Sequence, residues 1–253
     1  MKKLLKPRFL PVMAAALGGI ALVLRRLVYG LAMDARGLLV SGHPLETALI
    51  VLTGLVLLGI ALKAESLYGS EEYADNFRAD KPAAVGHLLA AAGIYLTAVT
   101  HQPLMRNYIG QFWQCLGYLA PVCLAAAGYY RFRGQKPFFL LHLIPCLFLV
   151  FHIVNHYQTW SGNPQLQDDL YTVLGTMAVL FFSFYTTSFD VELGKRRLHL
   201  FMGLAAVYLL MVSIPTTEYL FFTVGCACWA GSDLCRLIPV PKAIPETEGG
   251  DSP

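Results

Sequence analysis

Residues 138–157 read FFLLHLIPCLFLVFHIVNHY, an uncharged stretch that decides the fold of the chain. No Asp, Glu, Lys or Arg occurs between Lys136 and Asp168. An α-helix rises about 1.5 Å per residue, so a stretch of this length covers roughly 30 Å, the hydrocarbon thickness of a bilayer. A basic flank precedes it and an aromatic, polar flank follows it. This pattern is typical of a membrane-spanning helix that begins in the cytoplasm.

The composition of the whole chain agrees with a membrane protein. Of its 253 residues, 56% are hydrophobic and only 14% are charged, whereas soluble domains carry about 25% charged residues. A water-soluble protein of this size needs more charged residues on its surface. The lipid bilayer is therefore the predicted partner of this chain. The net charge of +3 is small and its basic residues are dispersed, which excludes a nucleic-acid-binding class.

Seven more apolar segments predict an all-α, polytopic integral membrane bundle of about eight transmembrane helices. The predicted spans lie near residues 9–33, 47–62, 83–101, 108–130, 138–157, 170–189, 198–214 and 219–239. They form one predicted transmembrane domain, residues 1–240, and a Pro-, Gly- and acid-rich tail, residues 241–253, predicted to be disordered and cytoplasmic. The last span is the weakest, because Asp233 and Arg236 lie inside it.

The basic residues predict how the chain is threaded. With eight spans and a cytoplasmic N-terminus, the C-terminus is also cytoplasmic. All nineteen Lys and Arg residues then lie on the cytoplasmic side except Arg25, Arg26, Arg36 and Arg106. This bias follows the positive-inside rule. It predicts a multi-pass protein of the cell (plasma or inner) membrane.

Motifs of soluble enzymes are missing from the sequence. There is no His-Glu-x-x-His, no Gly-x-Ser-x-Gly and no phosphate-binding Gly-rich loop. The paired carboxylates Asp168 and Asp169 begin the sixth predicted span, where acids favour the positive end of a helix dipole. The sequence therefore favours a non-enzymatic protein.

Four histidines form the most informative constellation. His87 and His101 are fourteen residues apart in the third span, and His142 and His156 are fourteen apart in the fifth. Fourteen residues bring a helix close to a whole number of turns, so each pair lies on one face, separated by roughly 21 Å of rise. Both spans run outward in this threading. We therefore expect His87 to face His142 near the inner surface and His101 to face His156 near the outer one.

This spacing resembles the two-haem core of the cytochrome b family, in which two parallel helices each supply two axial histidines. The resemblance covers those four residues on two helices. It implies a b-type di-haem electron-transfer protein in which haem b is bound by His87 with His142 and by His101 with His156. The fifth span carries Phe148, Leu149 and Phe151 where that family has glycines that make room for the macrocycle.

A second site lies at the outer end of the fifth span. His152 and His156 are four residues apart, so both project from one helix face. They predict a polar vestibule or a site for a divalent metal. Together with Asp168 they also leave open an intramembrane enzyme that acts at the outer face.

The arginines of the first span complete the candidates. Phe9 to Arg25 covers about 24 Å of helix, short of a full crossing, so Arg25 and Arg26 lie just below the outer interface. They either extend to the interface or turn one side chain inward toward an anionic group. Arg25, Arg26 and His101 are the candidate cavity residues. The leading hypothesis is a transporter-like or permease-like protein for a small molecule or ion, with no required cofactor.

Overall fold

We describe the chain from a computed structural model, which defines residues 9–32, 42–65, 70–102, 108–161, 166–235 and 237, the side chains of residues 158–161 and 166–168 excepted. The described residues contain helices and no strands. Their helices are α1 (Leu10–Leu31), α2 (Pro44–Glu65), α3 (Tyr73–Asn76), α4 (Lys81–Thr100), α5 (Tyr108–Arg133), α6 (Leu140–Ser161), α7 (Leu166–Asp190), α8 (Arg196–Ser213) and α9 (Leu220–Cys235). The predicted tail, residues 241–253, lies outside them, as do Arg36 and Arg106.

The predicted all-α membrane bundle is confirmed, and each predicted span coincides with one helix. Seven of these helices, α1, α2 and α4 to α8, are long and apolar enough to cross a bilayer. The eighth, α9, has 16 residues and covers about 24 Å. Pro121 and Pro145 lie inside α5 and α6, which continue through them.

Six helices form a closed ring in the order α4, α5, α6, α7, α8 and α9, with α9 packed back against α4. Helices α1 and α2 lie outside the ring against α8. Burial follows this arrangement, since 72% of the apolar window of α8 is buried but only 17% of that of α2. The exposed face of α2 carries large apolar side chains, among them Ile50, Leu55 and Leu58.

Neighbouring helices of the ring run in opposite directions, which gives the bundle two ends. We call the end at which α4, α6 and α8 begin the lower end, and the end at which they finish the upper end. The sequence predicts that the lower end faces the cytoplasm. That orientation stays a prediction.

Glycines bring α4 and α9 into close contact. A Cβ added to Gly225 would lie 2.6 Å from the Leu89 carbonyl oxygen, and one added to Gly93 would overlap the Phe221 carbonyl. Small residues allow helix backbones to approach in a membrane, where packing rather than water drives association. The backbones of α4 and α9 therefore meet directly at these two glycines.

Residues 70–80, which precede α4, fold over the lower end of the ring. Asn76 of α3 donates to the carbonyls of Ser70 and Glu72, both at 2.8 Å, and accepts from Arg196 Nη1 at 2.9 Å. Phe77 packs edge-on against Phe189, with ring centroids 5.1 Å apart. This covering segment closes the interior of the ring at that end.

Candidate functional site

Ionisable side chains from six helices meet inside the ring at its lower end. We call this group the lower cluster, and all of its members are buried. It consists of His87 of α4, Arg131 of α5, His142 of α6, Asp190 of α7, His199 of α8, and Trp229 and Asp233 of α9. Ionisable residues inside membrane segments are costly and commonly mark ion or proton pathways.

His87 lies at the centre of three contacts. Its Nδ1 is 2.8 Å from the Ala83 carbonyl oxygen, one turn earlier on α4. Its Nε2 accepts a hydrogen bond from Trp229 Nε1 at 3.0 Å and lies 3.3 Å from His142 Nε2. The predicted pairing of His87 with His142 is therefore present, as a direct contact between the two rings.

His142 connects this contact to a carboxylate. Its Nδ1 lies 2.6 Å from Asp190 Oδ2 at the end of α7. The backbone carbonyl of His142 also accepts a hydrogen bond from Ser183 at 3.1 Å. A continuous chain thus runs from Asp190 through His142 and His87 to Trp229, and it joins helices α7, α6, α4 and α9.

A buried ion pair forms the other half of the lower cluster. Arg131 Nε donates to Asp233 Oδ1 at 3.0 Å, and both side chains are at most 5% exposed. His199 Nε2 lies 3.9 Å from Asp233 Oδ2, too far for a hydrogen bond. The guanidinium of Arg131 also lies 4.1 Å from the centre of the Phe77 ring. The segment covering the lower end is thereby attached to the ion pair.

Tyr73 brings a hydroxyl against the lower cluster from outside the membrane-spanning helices. Burial raises the pKa of Tyr73 to about 12, although the nearby Arg131 cation acts in the opposite direction. Its ring packs against Phe77 with centroids 5.0 Å apart. The phenol therefore stays neutral at physiological pH and closes the cluster with an uncharged group.

A second group, the upper cluster, occupies the opposite end. It comprises His101 of the α4 terminus, Trp113 of α5, His152 and His156 of α6, and Tyr219 just before α9. Trp113 Nε1 donates to His152 Nδ1 at 3.1 Å. His156 Nδ1 is 2.7 Å from the His152 carbonyl oxygen, and its Nε2 pairs with the Tyr219 hydroxyl. The His101 ring lies tilted against the Tyr219 ring, with ring centroids 4.5 Å apart.

An apolar layer separates the two clusters. Phe148 of α6 and Phe222 of α9 are fully buried, with ring centroids 6.4 Å apart. Both rings pack beneath His152, at 5.7 and 4.6 Å. On the lower side Phe182 packs against Trp229 at 5.3 Å. The interior of the ring is therefore polar at both ends and apolar between them.

The two histidine pairs do not fit haem in this packing. Metal–nitrogen bonds of about 2 Å on each side place two axial nitrogens roughly 4 Å apart, with a flat macrocycle between them. The Nε2 atoms of His87 and His142 are only 3.3 Å apart, and the Trp229 indole donates to the same His87 nitrogen that would bind the iron. At the upper end the Tyr219 ring lies 4.5 Å from His101 and 4.7 Å from His156. The haem hypothesis finds no support in this geometry.

The predicted metal site at His152 and His156 has its donor atoms engaged elsewhere. The two rings are close, with centroids 4.4 Å apart, but Trp113 and Tyr219 occupy one nitrogen of each. Among the described residues no group of three or more His, Cys, Asp or Glu side chains is placed to hold a metal ion. The side chain of Asp168 lies outside the described residues. The metal site and the outer-face enzyme stay predictions.

Arg25 and Arg26 point in different directions. Arg26 is exposed on the outside of the bundle, as a side chain that extends to the interface would be. Arg25 is only 2% exposed. It donates to the Val212 carbonyl at 3.3 Å and to Thr216 Oγ1 at 2.8 Å, so this cation stands at the C-terminus of α8, where the helix dipole favours it. Arg25 also lines a cavity of about 90 Å³ against α2 and α7.

Several members of the two clusters were not predicted as site residues: Arg131, Asp190, His199, Trp229, Asp233, Trp113 and Tyr219. One signal was available, because Asp233 lies inside an apolar span, where a carboxylate requires a partner. The sequence offered no reason to place Arg131 and Asp190 in the interior, because both lie next to the polar connections at helix ends. Their partners are more than 40 residues away in sequence, a distance at which residue patterns carry no pairing information.

Comparison of the chain with known protein families, with characterised proteins and with solved structures finds no match to any of them.

Proposed function

We propose that this multi-pass membrane protein is a transporter that moves protons, with the lower cluster as its proton-binding centre. The observation that carries the proposal is the buried chain from Asp190 through His142 to His87 inside a ring of apolar helices. Carboxylate and imidazole groups exchange protons near neutral pH. Such chains in membrane proteins serve proton relays and coupled transport.

The arrangement of the two clusters supports movement along one axis. Helices α4 and α6 each contribute histidines to both clusters, and α9 and the residue before it contribute Trp229 and Tyr219. The apolar layer at Phe148 and Phe222 interrupts the polar path between them. Transport would require this layer to rearrange, and the prolines of α5 and α6 are sites at which membrane helices can bend.

An enzymatic function has weaker support. In the lower cluster, the hydroxyl oxygen Oγ1 of Thr186 lies 3.5 Å from His199 Nδ1. Its single proton goes to the Phe182 carbonyl at 2.8 Å. An activated nucleophile needs a base within about 3.2 Å that can take its proton. The lower cluster is therefore better suited to holding protons than to acyl transfer. The predicted location, the plasma or inner membrane, is where proton gradients are available.

The test is proton flux in liposomes that contain the purified protein and a pH-sensitive dye. With an imposed membrane potential, we expect the wild type to change the internal pH several-fold faster than protein-free liposomes. We expect His142→Gln and Asp190→Asn to remove that excess. His43→Gln is the matched control, because His43 lies at the start of α2, outside both clusters. Wild-type flux equal to that of empty liposomes would contradict the proposal.

A further inference from the structure

We infer that the His142–Asp190 pair holds two protons, one on His142 Nε2 and one between His142 Nδ1 and Asp190 Oδ2. An ordinary pair of a neutral imidazole and a carboxylate holds one. The additional proton is the bound ligand of this site. The inference follows from which atoms of the lower cluster can donate and which can only accept.

The first step fixes the tautomer of His87. A carbonyl oxygen only accepts, so the 2.8 Å contact with Ala83 places a hydrogen on His87 Nδ1. The Trp229 indole nitrogen only donates, so its 3.0 Å contact requires a bare Nε2 on His87. His87 is therefore neutral, with its hydrogen on Nδ1 and a lone pair on Nε2.

The second step concerns the contact between the two histidines. The Nε2 atoms of His87 and His142 are 3.3 Å apart, and the side chains are 1% and 3% exposed. Since His87 Nε2 has no hydrogen, the contact is a hydrogen bond only if His142 Nε2 carries one. Without it, two lone pairs face each other in a medium that screens them poorly. The His87–His142 contact is long, at 3.3 Å, because the lone pair of His87 Nε2 accepts from both His142 and Trp229.

The third step counts the protons on the pair. The 2.6 Å separation of His142 Nδ1 and Asp190 Oδ2 requires a hydrogen between these atoms. With the hydrogen on Nε2, the pair has two. Either His142 is an imidazolium beside a carboxylate or Asp190 is protonated beside a neutral imidazole, and the total is the same.

Ionisable groups of the lower cluster and of the covering segment surround the pair. Among the described residues, the groups that face it are His87 from α4, Arg131 from α5, His199 from α8, Asp233 from α9 and Tyr73 from the covering segment. A change in the charge of the pair therefore acts on each of these groups.

Loss of this proton has a mechanical consequence. With Nε2 bare on both rings, the contact between α4 and α6 at the lower end becomes repulsive, and α4 also carries the α9 contact. The occupancy of the site would thus bias the spacing of three helices. That use of the proton rests on the proposed function, whereas the proton count does not.

The test is nitrogen-15 NMR of the purified full-length protein with labelled histidine rings, at neutral pH. We expect a hydrogen on His142 Nε2 and a hydrogen bond at its Nδ1, together with the Nδ1–H tautomer of His87. Asp190→Asn should leave His142 neutral with its hydrogen on Nε2, because the amide can donate to Nδ1. Signals are assigned by comparison with the His43→Gln, His142→Gln and His87→Gln spectra.

A neutral wild-type His142 with a bare Nε2 would overturn the inference. The wild-type spectrum decides this point, and the variants serve to assign its signals. If His142→Gln does not fold, the signals that change in Asp190→Asn assign His142 instead. The spectrum also separates the two proposals. A loaded pair without proton flux would leave the inference standing and remove the transport function, and flux with a bare Nε2 would do the reverse.

Discussion

The lower and upper clusters share α4, α5 and α6 but hold their histidines in different states. In the upper cluster His152 Nδ1 accepts from Trp113, and His156 donates to a carbonyl while its Nε2 faces the Tyr219 hydroxyl. All of these contacts can form with both histidine rings neutral. In the lower cluster the same count of donors and acceptors places two protons on the His142–Asp190 pair, one more than a neutral imidazole and a carboxylate hold. The comparison teaches that the charged residues Arg131, Asp190 and Asp233, and not the histidines alone, make the lower end a proton site.

The largest expected effect comes from removing the buried ion pair of the lower cluster. Asp233→Asn leaves the buried Arg131 cation without its anion, and we expect about 3–5 kcal/mol loss in the free energy of unfolding. Tyr219→Phe removes a neutral hydrogen bond from the upper cluster and should cost about 1 kcal/mol. Denaturation in mixed detergent micelles measures both.

Lys136→Gln is the control for Asp233→Asn. It breaks the Lys136–Glu192 pair, whose side chains are 43% and 46% exposed, and such pairs contribute roughly 0–1 kcal/mol. Equal losses for Asp233→Asn and Lys136→Gln would mean that the lower cluster is open to water, and the contrast between the clusters would disappear.

A second prediction tests whether the covering segment seals the lower cluster. The pKa of Tyr73 is raised by burial from 10.0 to about 12, so the folded state binds this proton more tightly than the unfolded state. The resulting stability is complete below pH 10 and is lost as the pH rises from about 10 to 12, by roughly 3 kcal/mol.

The measurement is the free energy of unfolding of the wild type and of Tyr73→Phe across this alkaline range. The wild type should lose stability relative to the variant only there. A constant difference between the two proteins from neutral pH upward would show that Tyr73 is not sealed in.

The smallest expected effect compares the two indole donors. Trp113 and Trp229 are both fully buried, so replacement by Phe removes the same volume at each. Trp113→Phe leaves His152 Nδ1 without the donor it has in the structure. In Trp229→Phe, by contrast, His87 Nε2 still accepts a hydrogen bond from the Nε2–H group of His142. Trp113→Phe should therefore be the more destabilising, by about 1 kcal/mol. The opposite order would indicate that the lower pair lacks its additional proton.

Part of the site follows from the sequence by simple helix geometry. The fourteen-residue spacing on α4 and α6 placed His87 opposite His142 correctly, because helical periodicity relates residues within one span without knowledge of the rest. The same spacing implied haem iron between the rings, and that cofactor stays a prediction. A pattern of positions does not say how far apart two helices pack, and the Trp229 indole beside His87 comes from a helix whose position depends on packing.

The covering segment, residues 70–80, shows the limit most clearly. It is rich in acids and bases, yet Asn76 is fully buried and binds Arg196 across 120 residues of sequence. Likewise Arg25 and Arg26 are adjacent in sequence, and only the position of α8 selects Arg25 as the buried one.

The sequence by itself determined that the chain is helical, near which residues its long helices lie and that they are apolar enough to associate with a bilayer, because these properties depend on local hydrophobicity and on the rise of a helix. The tertiary structure alone decided which helices close the ring and which charges meet within it. It thereby decided where a proton has to be placed. These depend on contacts between distant residues, where the low dielectric of the interior makes each donor and acceptor count.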